Sequence, residues 1–162
     1  MIKKLLSRVR EYKKDAILSP VYVAAESILE IIIPTLMAFL IDDGINKGDM
    51  GKVWFYGALL ILCAVLSLIT GVLAGRSAAI ASSGFARNLR RDMYYNVQNF
   101  SFSNIDKFST SSIITRLTTD VTNVQNAFQM IIRLGVRAPM MIIFAVVFSF
   151  RIDAQLSLVF LG

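Results

Sequence analysis

Two carboxylates, Glu26 and Glu30, stand four residues apart inside the apolar run from Ala16 to Ile41. That spacing is about one helical turn, so both project from one face of a helix. Carboxylates within a membrane span are costly, and they turn toward a partner, a polar interior or a water-filled cavity. Counted from Ala16 they lie roughly 15–20 Å along the span. They are expected to line a substrate pathway and to favour cationic or amphipathic ligands, with pairing to an arginine of another span, or a place near the interface if the helix starts later, as the structural alternative. Arg133 and Arg137 repeat the spacing with the opposite charge. Their place at the edge of a later apolar run points to lipid phosphate groups as counterions.

Other chemistry is excluded by residue type. The chain has no histidine and one cysteine, Cys63, which removes imidazole bases, thiolate zinc sites and a disulfide framework. No G-x-x-x-x-G-K-[ST] run occurs, so nothing here is expected to cradle nucleotide phosphates. The expectation is no catalytic residue, no metal and no cofactor within this chain.

The elements that must hold the carboxylates follow from composition. Of 162 residues 56% are hydrophobic and 17% charged, and mean hydropathy is +0.62. This is more apolar and less charged than a water-soluble domain, and it indicates an all-α integral membrane protein. The net charge of +6 is not a nucleic-acid footprint. Lys3, Lys4, Arg8, Arg10, Lys13 and Lys14 form one block, and a second runs from Arg76 to Arg137, with only Lys47 and Lys52 between them. Basic residues separated in this way by apolar runs stay on the cytoplasmic side of a cell membrane.

Ile2, Leu5, Leu6 and Val9 recur at helical spacing opposite Lys3, Lys4 and Arg8, which predicts an interfacial elbow helix over 1–14 lying on anionic lipid. The first span is expected over 16–41, despite Pro20 and Pro34. Asp42 to Asp49 reads as a tight outer turn. The run from Val53 to Gly75 contains no charge, and no proline interrupts the chain as far as Phe100. A helix over 53–100 would be about 70 Å long against a hydrocarbon core of about 30 Å, so more than half must stand outside the membrane. Gly71 and Gly75 form a small-xxx-small pair suited to close helix packing.

Phe85, Leu89, Met93, Val97 and Phe100 make one apolar stripe, and Leu117, Val121, Val124, Phe128 and Ile131 make a heptad seam. Their simplest pairing is an antiparallel cytoplasmic hairpin with 101–109 at its tip. Its second arm re-enters the membrane near Pro139, so 110–150 forms the returning extension and third span. A fourth apolar run starts at 154–162, too short to cross. The chain is therefore expected to be the truncated part of a longer protein.

This architecture resembles the first half of the transmembrane domain of ATP-binding-cassette exporters, over essentially the whole chain. Ile41-Asp42-Asp43-Gly44-Ile45 with Gly48-Asp49 is similar to that family's first outer loop, and Phe102 to Thr110 to the segment of its first coupling helix. Thr110 to Val121 resembles the stretch T-G-[DE]-[LI]-x-[ST]-R-[LI]-x-x-D-[VT], with Ser111 and Ser112 in place of the usual Gly and acidic residue. The resemblance implies that Asn104, Ile105, Asp106, Lys107 and Phe108 dock into a separate nucleotide-binding domain, Ile105 and Phe108 as apolar anchors. It also implies ATP and Mg in that domain and a second transmembrane half as homo- or heterodimer, while membrane lipid as surroundings follows from composition and a cytoplasmic N-terminus from the placement of lysine and arginine. A membrane anchor or oligomeric scaffold module is the alternative class, disfavoured because an anchor has no need of a paired lever.

Overall fold

The computed structural model describes residues 7–99 and 110–152. The expectations placed on Ile2, Leu5, Leu6, Phe100, the tip 101–109 and the run 154–162 lie outside those residues. A short 3₁₀ elbow, Ser7–Tyr12, passes without a linker into α1, Lys13–Phe39, which a π-helical turn, Leu40–Ile45, extends. Next comes α2, Met50–Gln98. The last stretch is α3, Thr110–Thr115, a π-helical turn, Arg116–Asp120, and α4, Val121–Ile152. No strand occurs among the described residues. Three helical stretches, Arg8–Ile45, Met50–Gln98 and Ser111–Phe150, are long and apolar enough to cross a membrane. The protein is an all-α membrane protein, as its composition requires.

Pro20 and Pro34 sit inside α1 and Pro139 inside α4. A membrane helix accommodates the lost backbone bond where neighbours and hydroxyl side chains take up the freed groups. The turn into α2 is built from its small and acidic residues. Gly48 has φ +67°, a conformation that other residues rarely adopt. Asp49 caps α2, its Oδ1 accepting from the backbone N–H of Gly51 at 3.0 Å and of Lys52 at 3.3 Å. A Cβ on Gly44 would come within 2.8 Å of Val53 Cγ2. Each small residue of the Asp-Asp-Gly and Gly-Asp pattern thus has a steric or capping reason to be there.

The residues gather into two compact units, one from Met1–Ser19 and Gly75–Arg133, the other from Pro20–Ala74 and Leu134–Gly162. The first is the hairpin unit. Val9, Ala81, Phe85 and Phe128 form its core, with Tyr12, Ala16, Leu89 and Ile132 packed against them. The Phe85 and Phe128 rings stack at 4.8 Å between centroids. Ala78, Ala81, Ser82 and Ala86 are fully buried on α2, and such small side chains let helices approach closely.

Two expectations change here. The seam ends on Ile132, not Ile131, which is 67% exposed. A strict heptad assumes 3.5 residues per turn, whereas an uncurved helix at 3.6 brings the residue four beyond Phe128 round to the same face. The elbow also differs. Val9 is buried against α2 and α4 instead of lying on lipid, and the 3₁₀ turn is interrupted at Arg10, with φ 41°.

The second, or span, unit has the opposite character. Ile61, Leu68 and Ile142 are each about two-thirds exposed, while Ser27 is fully buried, its hydroxyl donating to the Val23 carbonyl at 2.9 Å. Cys63 is buried among these helices.

Candidate functional site

In the span unit the two carboxylates have different surroundings. Arg137 on α4 donates through Nη2 to Glu30 Oε1 at 2.7 Å and Oε2 at 3.0 Å. Both side chains are partly buried, so the pair compensates charges that apolar surroundings would otherwise penalise. The sequence reading gave Arg137 to lipid phosphate; the structure gives it a carboxylate 107 residues away. Glu26, one turn earlier, has no such partner. Its Oε2 is a buried atom with no hydrogen-bond partner among the described residues.

Glu26 packs on the backbone of α2 at Gly71, where an added Cβ would lie 2.8 Å from Oε1. Gly75 has nothing within 4 Å of such a Cβ. Among the described residues the first glycine of the small-xxx-small pair serves close packing and the second does not, and the first packs a carboxylate. Gly71 lies five residues before Arg76, the first charge after the uncharged run, or about 8 Å of helix. Glu26 therefore meets α2 about one and a half helical turns before Arg76.

In the hairpin unit the arms are tied by polar contacts beside the aromatic stack. Arg90 Nε donates to the Leu117 carbonyl at 3.4 Å and its Nη2 to Thr122 Oγ1 at 3.1 Å. Gln125 Nε2 donates to Ser83 Oγ at 3.4 Å. Toward the tip the arms leave an apolar groove of about 170 Å³, lined by Met93, Val97, Ile113 and Leu117 among others. Asn104, Ile105, Asp106, Lys107 and Phe108 lie outside the described residues. Sequence reasoning set Arg90 and Asp92 on the polar side of the helix and did not single out Gly84, because helical position carries no signal of which partner a residue meets.

At the far turn Lys47 Nζ and Asp43 Oδ1 are 2.5 Å apart. The hydrogen bond from Lys47, with its positive charge, holds the Asp43 carboxyl below its ordinary range, and the same contact raises Lys47. This exposed pair marks the end of the spans and offers no chemistry beyond that.

Comparison with known proteins agrees with this architecture. Residues 16–162 match the family described as the ABC transporter transmembrane region. An uncharacterized ABC transporter ATP-binding protein, YfiB, of Bacillus subtilis (strain 168) is 38% identical over 156 residues, covering 96% of this chain and 27% of that protein. An ATP-dependent lipid A-core flippase of Pseudoalteromonas translucida is 26% identical over 160 residues, 98% of this chain and 27% of that protein. The chain thus spans about a quarter of the length of these curated relatives. With three membrane-length helices, a paired extension of the second and third, and a family match running from residue 16 to residue 162, the chain belongs to the ABC transporter transmembrane region.

Proposed function

We propose that this chain is the leading part of the membrane domain of an ATP-driven exporter, supplying part of the substrate pathway and the lever that couples it to a nucleotide-binding domain. The carrying observation is α2, one unbroken helix of 49 residues. At about 1.5 Å per residue it exceeds twice the hydrocarbon thickness of ~30 Å. Its first half exposes apolar side chains, and its second half is packed and tied to α4. A rigid paired element of this kind suits transmission of a two-state movement over tens of Å.

Asn104, Ile105, Asp106, Lys107 and Phe108 are the docking residues in this reading, on the strength of the resemblance. ATP and Mg belong to the nucleotide-binding domain they engage, and a second transmembrane half completes the pathway. The N-terminus and 101–109 face the cytoplasm and Asp42 to Asp49 the exterior, a topology supported by the placement of lysine and arginine. Glu26 and Glu30 line the pathway. The likeness to lipid A-core flippases supports an amphipathic substrate drawn from the membrane, and the uncompensated carboxylate of Glu26 supports one bearing positive charge.

Phe108→Ala in the complete transporter tests the coupling role. Loss of a central apolar anchor costs about 2 kcal/mol or more at a docking groove. Transport should fall at least tenfold while ATP hydrolysis persists. Unchanged transport with unchanged cassette association would refute the assignment.

A further inference from the structure

The elbow makes more contacts than an interfacial anchor needs. Gly84, Asn88 and Asp92 follow one another at four-residue intervals, and so form one row along α2. All three engage the elbow. A Cβ on Gly84 would overlap the ring of Tyr12, so the ring lies directly on the α2 backbone. Asn88, buried on α2, donates its side-chain N–H to the backbone carbonyl of Arg8 at 3.0 Å. Asp92 accepts from Arg8 Nη1 and, at 3.3 Å, from Arg10 Nη2.

Between these contacts Val9 enters the core formed by Ala81, Phe85 and Phe128. Phe85 comes from one arm of the hairpin and Phe128 from the other, so the elbow covers the seam between them. Arg10 keeps a positive φ that a non-glycine residue rarely adopts. Both its neighbours are fixed, Val9 by burial and Arg8 by Asn88 and Asp92, which holds the bend in place. Tyr12 is followed at once by Lys13, the first residue of α1. A grip on the elbow is therefore a grip on the base of the first span.

We infer that the elbow is a strap fixed to the hairpin, with Gly84, Asn88 and Asp92 as its receptor row, and that it delivers movement of the hairpin to α1. The inference rests on the coupling role proposed above. Asp92 is a positioning residue in this scheme: it touches neither substrate nor nucleotide, and it acts by keeping elbow and hairpin in one body.

A disulfide tests it. The Cβ direction at Gly84 points into Tyr12, so Tyr12→Cys with Gly84→Cys brings two thiols within bonding reach. The pair is introduced into the complete transporter after replacement of Cys63 and any further cysteine. Oxidation should close the bond with or without ATP and vanadate, and transport of the closed protein should stay within twofold of its reduced form. Asp92→Asn added to the reduced protein should lower transport per ATP hydrolysed about threefold, and closing the disulfide should restore it. That rescue separates positioning from a general loss of fold. Failure of the bond to form, or a closed protein that hydrolyses ATP without transporting, would overturn the strap. Phe108→Ala reports on the coupling role independently, so a failed strap with an uncoupled Phe108→Ala variant leaves the coupling role standing.

Discussion

The hairpin unit and the span unit are made from the same three long helices, yet they distribute their side chains in opposite ways. In the hairpin unit Phe85 and Phe128 are buried against each other and Arg87 and Arg91 are exposed. In the span unit Ile61, Leu68 and Ile142 are exposed, whereas a serine and one oxygen of a carboxylate are buried. One arrangement takes an aromatic pair out of water, although Met130 and Ile131 of the same unit stay about two-thirds exposed. The other gains nothing from burying apolar groups, because lipid tails are as apolar as leucine, and it turns its polar groups inward. A single helix, α2, changes from one regime to the other along its length, so its sequence carries two solvents in series.

The largest expected effect follows from that contrast. Phe128→Ala removes half of the ring stack in the hairpin core and should destabilise by about 3 kcal/mol, as buried aromatic truncations do. Leu68→Ala, on the outer surface of the span unit, should change stability by less than ~0.5 kcal/mol. Thermal unfolding in detergent measures both. Equal losses would mean that the two units are not solvated differently.

A smaller effect is expected at the ion pair of the span unit. Arg137→Gln leaves Glu30 without its partner in partly buried surroundings, at a cost of about 1–3 kcal/mol. Glu30→Gln added to it should recover most of the loss, since two neutral amides need no compensation. A double variant no better than Arg137→Gln alone would mean that the pair is not what stabilises this contact.

Whereas the helices were readable, their partners were not. The length of α2 follows from an uncharged run passing into the Phe85, Leu89, Met93 and Val97 stripe without a proline. Phe85 and Phe128 likewise follow from periodicity. Ala78, Ala81 and Ser82 did not register, because small residues add little amphipathic signal while deciding how closely helices pack. The Glu30 to Arg137 pairing spans 107 positions, and charge type alone cannot choose among distant partners.

The smallest expected effect separates the two glycines of α2. Gly71→Ala places a methyl within 2.8 Å of Glu26 Oε1, and should destabilise by about 1 kcal/mol through crowding. Gly75→Ala meets nothing within 4 Å, and should stabilise by up to ~1 kcal/mol through helix propensity. Reversal of the two signs would place the close approach at the wrong turn.

The claim that α2 passes from lipid to water is tested most directly by spin labels at Leu68 and Tyr94, both more than half exposed. Collision rates are measured with oxygen, which partitions into lipid, and with a water-soluble nickel chelate, in the transporter reconstituted in bilayers. The account predicts an oxygen-dominated signal at Leu68 and a nickel-dominated signal at Tyr94. The same lipid-type signal at both positions would contradict it.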